Sequence, residues 1–148
     1  MDINIVQCET YEDIEITIKY PIKKDKMVKR IVSLINSIDI QILCVLDDDT
    51  KIINASEIYY IESVDDKTIV HCEKDNYIVK KRLYQIYEIL KNVGFLQINK
   101  YCILNFRMLV KIKPRENSLL EAVLKNEKHL IVTRKYLTEI KQRLREML

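Results

Sequence analysis

Leu130-Ile131-Val132-Thr133-Arg134-Lys135-Tyr136-Leu137-Thr138-Glu139-Ile140-Lys141 is the stretch on which the reading of this chain turns. An apolar strand runs straight into Thr133, a residue type suited to cap the start of a helix. Leu137, Ile140, Leu144 and Met147 or Leu148 then recur at helical spacing. Arg134 and Lys135 fall in the first turn, where the free backbone N–H groups already make the helix end positive. Two cations placed there suit a polyanion, because the same features attract phosphate. The competing account is two solvated side chains costing a few tenths of a kcal/mol.

Working outward from that stretch, short strands alternate with tight turns. The expected strands are 42–46, 51–54, 58–61, 68–72, 77–80, 95–98, 101–104, 108–113, 119–124 and 129–132. In 108–113, Met108, Val110 and Ile112 would face one way and Lys111 and Lys113 the other. A helix is expected over 80–92, with Leu83, Ile86, Tyr87 and Leu90 on its buried stripe. The chain's single glycine, Gly94, follows where a left-handed residue ends a helix. Before residue 42 the pattern predicts strands over 2–8 and 14–20, the latter from the alternation of Ile14, Ile16 and Ile18 with Glu15, Thr17 and Lys19. A helix over 25–38 carries Met27, Val28, Ile31, Leu34, Ile35 and Ile38 on one face. This first section is too small to hold a core alone, so it packs on the rest of the chain or on another copy. The fold class is therefore mainly β (α+β): antiparallel sheets with two short helices, preceded by a small strand–helix unit.

Composition narrows the function. With one glycine in 148 residues there is no P-loop and no dinucleotide-binding glycine loop. The net charge of +3 is too small to suggest nucleic acid by itself. Its distribution says more: residues 1–45 are nearly balanced, and from Lys128 onward bases outnumber acids. Cys8, Cys44, Cys72 and Cys102 are far apart and lie in apolar strands or strand ends, which reads as buried thiols rather than a disulfide framework or zinc site. No signal peptide, lipidation motif or long apolar span is evident, so the expected location is cytoplasmic.

An enzyme finds little support, and no cofactor or metal is expected. His71 and His129 stand alone in different strands, with no nucleophile at a suggestive spacing. Asp47-Asp48-Asp49 offers hard oxygen ligands for magnesium, against the simpler reading of a solvated turn. Nine tyrosines against two phenylalanines offer rings that stack on bases, or core and rim residues with a wet hydroxyl.

Taken in order, Ile58-Tyr59-Tyr60-Ile61-Glu62-Ser63, a hairpin, a helix, Gly94-Phe95, Gln97-Ile98-Asn99-Lys100-Tyr101-Cys102-Ile103-Leu104-Asn105 and Ile131-Val132-Thr133-Arg134-Lys135-Tyr136 resemble the LytTR-type DNA-binding domain of bacterial transcription regulators. The resemblance spans about 42–147. It divides the chain into an N-terminal extension, 1–41, suited to dimerisation, and a DNA-binding domain, 42–148. The resemblance implies elongated antiparallel β-sheets whose loops on one side enter successive major grooves of double-stranded DNA. The residues it places there are Lys67 and Thr68, then Asn99, Lys100 and Tyr101, then Arg134 and Lys135. Asn99 would suit adenine edges and Arg134 guanine. Some of Lys80, Lys81, Arg82, Lys111 and Lys113 would supply further phosphate contacts, the alternative for Lys80–Arg82 being a solvated strand-to-helix junction. Many family members carry Arg-x-His-Lys/Arg-Ser where this chain has Gln97–Tyr101. The whole chain resembles small LytTR regulators without a receiver domain, which implies a homodimer on repeated promoter sites and, for some relatives, a regulatory membrane-protein partner. The alternative is a protein-interaction or dimerisation module of a regulatory complex that does not read bases.

Overall fold

The computed structural model describes residues 2–147. Two antiparallel sheets carry most of the chain. The larger has the order β2-β1-β5-β4-β3-β7-β6, from β1 (Gln41–Leu46), β2 (Asp49–Asn54), β3 (Tyr60–Val64), β4 (Lys67–His71), β5 (Asn76–Val79), β6 (Phe95–Asn99) and β7 (Cys102–Asn105). The smaller has the order β10-β9-β8, from β8 (Leu109–Pro114), β9 (Leu120–Leu124) and β10 (His129–Val132). Among the described residues three α-helices accompany them: α1 (Asp25–Ile38), α2 (Leu83–Leu90) and α3 (Leu137–Met147).

The period-2 pattern of the strands builds two cores on opposite faces of the large sheet. Ile61, Val70, Phe95 and Ile103 point into the first, which is closed by Leu83, Ile86 and Leu90 of α2. Their neighbours Tyr60, Leu96, Ile98 and Leu104 point into the second, against Ala122, Leu124, Leu130 and Val132 of the small sheet and Ile140 of α3. Because β3, β6 and β7 feed both cores, they read as nearly continuous apolar runs. Gly94 follows α2 at φ +94°, in the left-handed region that glycine enters without a Cβ penalty.

Four expectations change. Residues 2–20 contain no strand. The alternation at Ile14, Ile16 and Ile18 is real, but a strand needs a ladder partner, and neither β2 nor β6, the edges of the large sheet, pairs with this segment. Cys8 is exposed there, while Cys44 and Cys102 are buried, with burial pushing their thiols up to about 11 and about 12. In β8 the register shifts between Leu109 and Lys111. That bulge turns Val110 outward, 64% exposed, and leaves Leu109 and Ile112 to pack against the second core. Finally, Thr133 is extended but its side chain makes no capping hydrogen bond. The turn after it is a 3-10 turn, Arg134–Tyr136, and α3 starts only at Leu137. Arg134 and Lys135 therefore sit in the lead-in to the helix. Ile140 is the buried residue of α3, and Leu148 lies outside the described residues.

Candidate nucleic-acid interface

The topology brings the sequence-predicted segments to one end of the large sheet. Antiparallel pairing of β3 with β4 closes the turn Asp65-Asp66 between Val64 and Lys67. Both turn residues have positive φ, 48° and 63°, which aspartate tolerates and a two-residue hairpin requires. β7 runs against β3 with Glu62 opposite Cys102, so the β6–β7 turn, Lys100-Tyr101, emerges at the same end. The Ser63 N–H donates to the Tyr101 carbonyl over 2.8 Å and locks the two turns side by side. β5 leaves there too, since Val79 pairs with Thr68, and it delivers Lys80, Lys81 and Arg82. Arg82 turns back on the hairpin: its Nη1 lies 3.3 Å from Asp66 Oδ1.

The strand-to-helix junction joins them through backbone bonds. The Thr133 N–H donates to the Ile98 carbonyl over 2.9 Å. Asn99 Nδ2 donates to the Ile131 carbonyl over 2.9 Å, and Asn99 Oδ1 accepts from the Tyr101 N–H over 2.9 Å. Asn99, Lys100, Tyr101, Thr133, Lys135 and Tyr136 thus line one shallow open depression of about 480 Å³. Lys100 Nζ lies 5.4 Å from the Tyr101 ring centre, and Lys135 Nζ lies 5.5 Å from that of Tyr136. Arg134 points elsewhere. Its Nε donates over 2.9 Å to the carbonyl of Asn117, in the β8–β9 loop, where Asn117 and Ser118 have φ of 58° and 59°. That bond uses one of five guanidinium donors and leaves the fork of Nη1 and Nη2 outward.

Of the seven predicted residues, Lys67, Lys100, Tyr101, Arg134 and Lys135 are exposed on this end. None of the four cations among them has an ion-pair partner among the described residues. The other two are placed differently. Thr68 is 3% exposed, because the pleat that turns Lys67 outward turns its neighbour in. Asn99 spends its carboxamide on the internal bonds just described, and so shapes the turn. The loop between the strands expected over 108–113 and 119–124 lies where the sequence places it, at Pro114-Arg115-Glu116-Asn117; its contact with Arg134 was not anticipated, because these residues mark a turn but not its neighbour.

Both histidines have structural partners. His71 stacks on Tyr60 with ring centres 4.1 Å apart, and its Nε2 lies 2.8 Å from Glu62 Oε1. Burial holds the imidazole below its ordinary value against the pull of that carboxylate. His129 Nδ1 lies 2.8 Å from Glu121 Oε1. No three metal-ligating side chains converge among the described residues, and no described helix is long and apolar enough to cross a membrane.

Residues 48–145 match the LytTr DNA-binding domain family. The sensory transduction protein LytT of Bacillus cereus is 26% identical over 100 residues, which is 68% of this chain and 41% of that protein. The chain thus spans under half the length of that relative. A Staphylococcus aureus protein named as an uncharacterized HTH-type transcriptional regulator is 27% identical over 144 residues, 96% of this chain and 94% of its own length. A solved LytTr DNA-binding domain from Bacillus cereus superposes with a TM-score of 0.66 at 21% identity, covering 70% of this chain and 95% of that one. The β-rich architecture and the candidate interface described above fall inside the matched region. This chain belongs to the LytTR family of DNA-binding domains.

Proposed function

We propose that the protein is a cytoplasmic transcription regulator that binds double-stranded promoter DNA sequence-specifically, as a homodimer on repeated sites. The supporting observation is the convergence of unpaired cations on three turns that are tied together by the bonds Ser63–Tyr101, Asn99–Ile131 and Thr133–Ile98. Ties of this kind hold the cations at fixed spacing, which register on a duplex demands. Arg134, with its fork free and its Nε anchored, is the base reader, and a bidentate fork suits the guanine edge. Lys67, Lys100 and Lys135 neutralise phosphates, while Tyr101 packs against the sugar-phosphate backbone. Thr68 and Asn99 support the two turns from within.

Selection of bound sequences from random duplex DNA would supply the operator. Titration against it at fixed salt then separates the roles. Arg134→Ala should lose ~1–3 kcal/mol of specific binding and relax preference at one base position. Lys135→Ala should weaken all sequences alike and reduce the salt slope by about one. Equal affinities for Arg134→Ala and wild type at matched salt would remove Arg134 from base reading.

A further inference from the structure

α1 is amphipathic, and it meets its own chain through buried Val28 at one edge of its apolar stripe and through the serines of its polar side. Ser33 and Ser37, one turn apart, face the guanidinium of Arg107. Arg107 Nη1 donates to Ser37 Oγ over 3.0 Å, and Nη2 donates to the Ser33 and Val93 carbonyls over 2.8 and 3.0 Å. The rest of the apolar side points away. Met27 is 49%, Leu34 47% and Ile38 61% exposed, with Ile31 half-buried between them.

Those four residues follow one another at intervals of four, three and four. That is the spacing of a helix that packs on another helix, and Val28 and Ile35, which its own chain covers wholly or in part, flank it on one side. Helices that lie in a membrane surface carry their cations along the whole polar face and aromatic residues on the other. In α1 and the turn before it the cations Lys23, Lys24, Lys26, Lys29 and Arg30 crowd the N-terminal half, the C-terminal half has only Asp39 beyond it, and there is no aromatic residue.

We propose that α1 pairs with α1 of a second copy of this chain, antiparallel, about a twofold axis between Ile31 and Leu34. Charge sets the direction. Parallel helices would bring the two basic halves together. Antiparallel helices place each basic half against the uncharged half of the partner, next to its Asp39 and the negative end of its dipole. In that register Met27 meets Ile38 of the partner subunit, and Ile31 meets Leu34 of the partner subunit. The contact is self-complementary and closes at two subunits. It gives the two-protomer reading above its surface, and it places the extension 1–41 rather than the DNA-facing end at the dimer axis.

The test uses the full chain carrying Cys8→Ser, so that the exposed thiol cannot cross-link. At micromolar concentration the parent should sediment at twice the chain mass. Leu34→Glu with Ile38→Glu should sediment as a monomer, its dissociation constant raised about a hundredfold or more. Both positions are exposed, so a preserved circular-dichroism spectrum and preserved affinity for a single half-site are expected and show that the variant is folded. Orientation is read by oxidation: Met27→Cys and Ile38→Cys proteins should cross-link when mixed and not when alone. A monomeric parent, a variant that remains dimeric, or cross-linking by Met27→Cys alone would each overturn the proposal. So would binding of a monomeric parent to anionic phospholipid vesicles that the double variant loses. Failure of the DNA reading would appear separately, as absence of half-site binding by every variant, with the masses still deciding the pairing.

Discussion

α1 and α3 are both amphipathic, and they solve opposite problems. α3 turns its apolar side to its own chain: Ile140 is 1% exposed within the second core, with Leu137 packed against the same cluster. α1 docks through Ser33, Ser37 and Arg107 and buries Val28, but it leaves Met27, Leu34 and Ile38 in solvent. An amphipathic pattern thus separates the two faces of a helix, but does not say which face its own chain covers. The flanking residues carry that second piece of information. Serines four apart on the far side of α1 mark a polar docking face, whereas the corresponding side of α3 carries Thr138, Glu139, Lys141 and Gln142, which stay in water.

The sharpest way to break this contrast is to truncate one apolar residue in each helix. Ile140→Ala removes fully buried methyl groups and should cost ~3 kcal/mol in a denaturant titration. Leu34→Ala, measured dilute enough to keep chains apart, should stay within about 0.5 kcal/mol of wild type, as exposed positions do. A larger loss at Leu34 would mean that α1 is packed by its own chain after all. The next effect in size is at the dock. Arg107→Ala strands the Ser33 and Val93 carbonyls and should cost ~2 kcal/mol. Hydrogen exchange should show α1 opening while β3, β6 and β7 stay protected. Arg107→Lys keeps the charge but not the fork, and should recover only part of the loss.

Much of the β architecture was legible because the strands obey period two and the turns use Asp, Asn and Gly where positive φ is needed. Asp65-Asp66 and Gly94 are cases in point. What escaped has physical causes. The alternation of Ile14, Ile16 and Ile18 describes a strand's faces but supplies no neighbour to pair with. The bulge at Val110 shifts one residue without a local sequence mark, and so turns Val110 out and Leu109 in while Ile112 stays inward. At the interface, the turns and cations could be placed from order along the chain. The inward rotation of Thr68 depends on β4 starting at Lys67, and the commitment of Asn99 depends on Ile131, thirty-two residues away. Arg107 was missed because a lone arginine after Asn105-Phe106 reads as surface; Ser33 and Ser37 were its signal.

The smallest expected effect separates the two helices by pH. The dock of α1 rests on Arg107, which stays protonated throughout the accessible range. The small sheet beneath α3 rests partly on a carboxylate. Glu121 lies within β9, its Oε1 held by His129 over 2.8 Å and its Oε2 paired with Arg115. The hydrogen bond from His129, followed by that from Arg115, holds the Glu121 carboxyl below the usual carboxylate range, against the opposing effect of burial. A group depressed in the folded state stabilises fully above its unfolded value, about 4.3, and its contribution disappears as pH falls through the lower folded value. The melting temperature of wild type should therefore hold above about pH 5 and decline below about pH 4, with β8–β10 amides losing protection before those of α1. Glu121→Gln, neutral at every pH, should start lower and decline less steeply. A decline of equal slope in both proteins would transfer the acid sensitivity to other carboxylates and leave the two docks indistinguishable by pH.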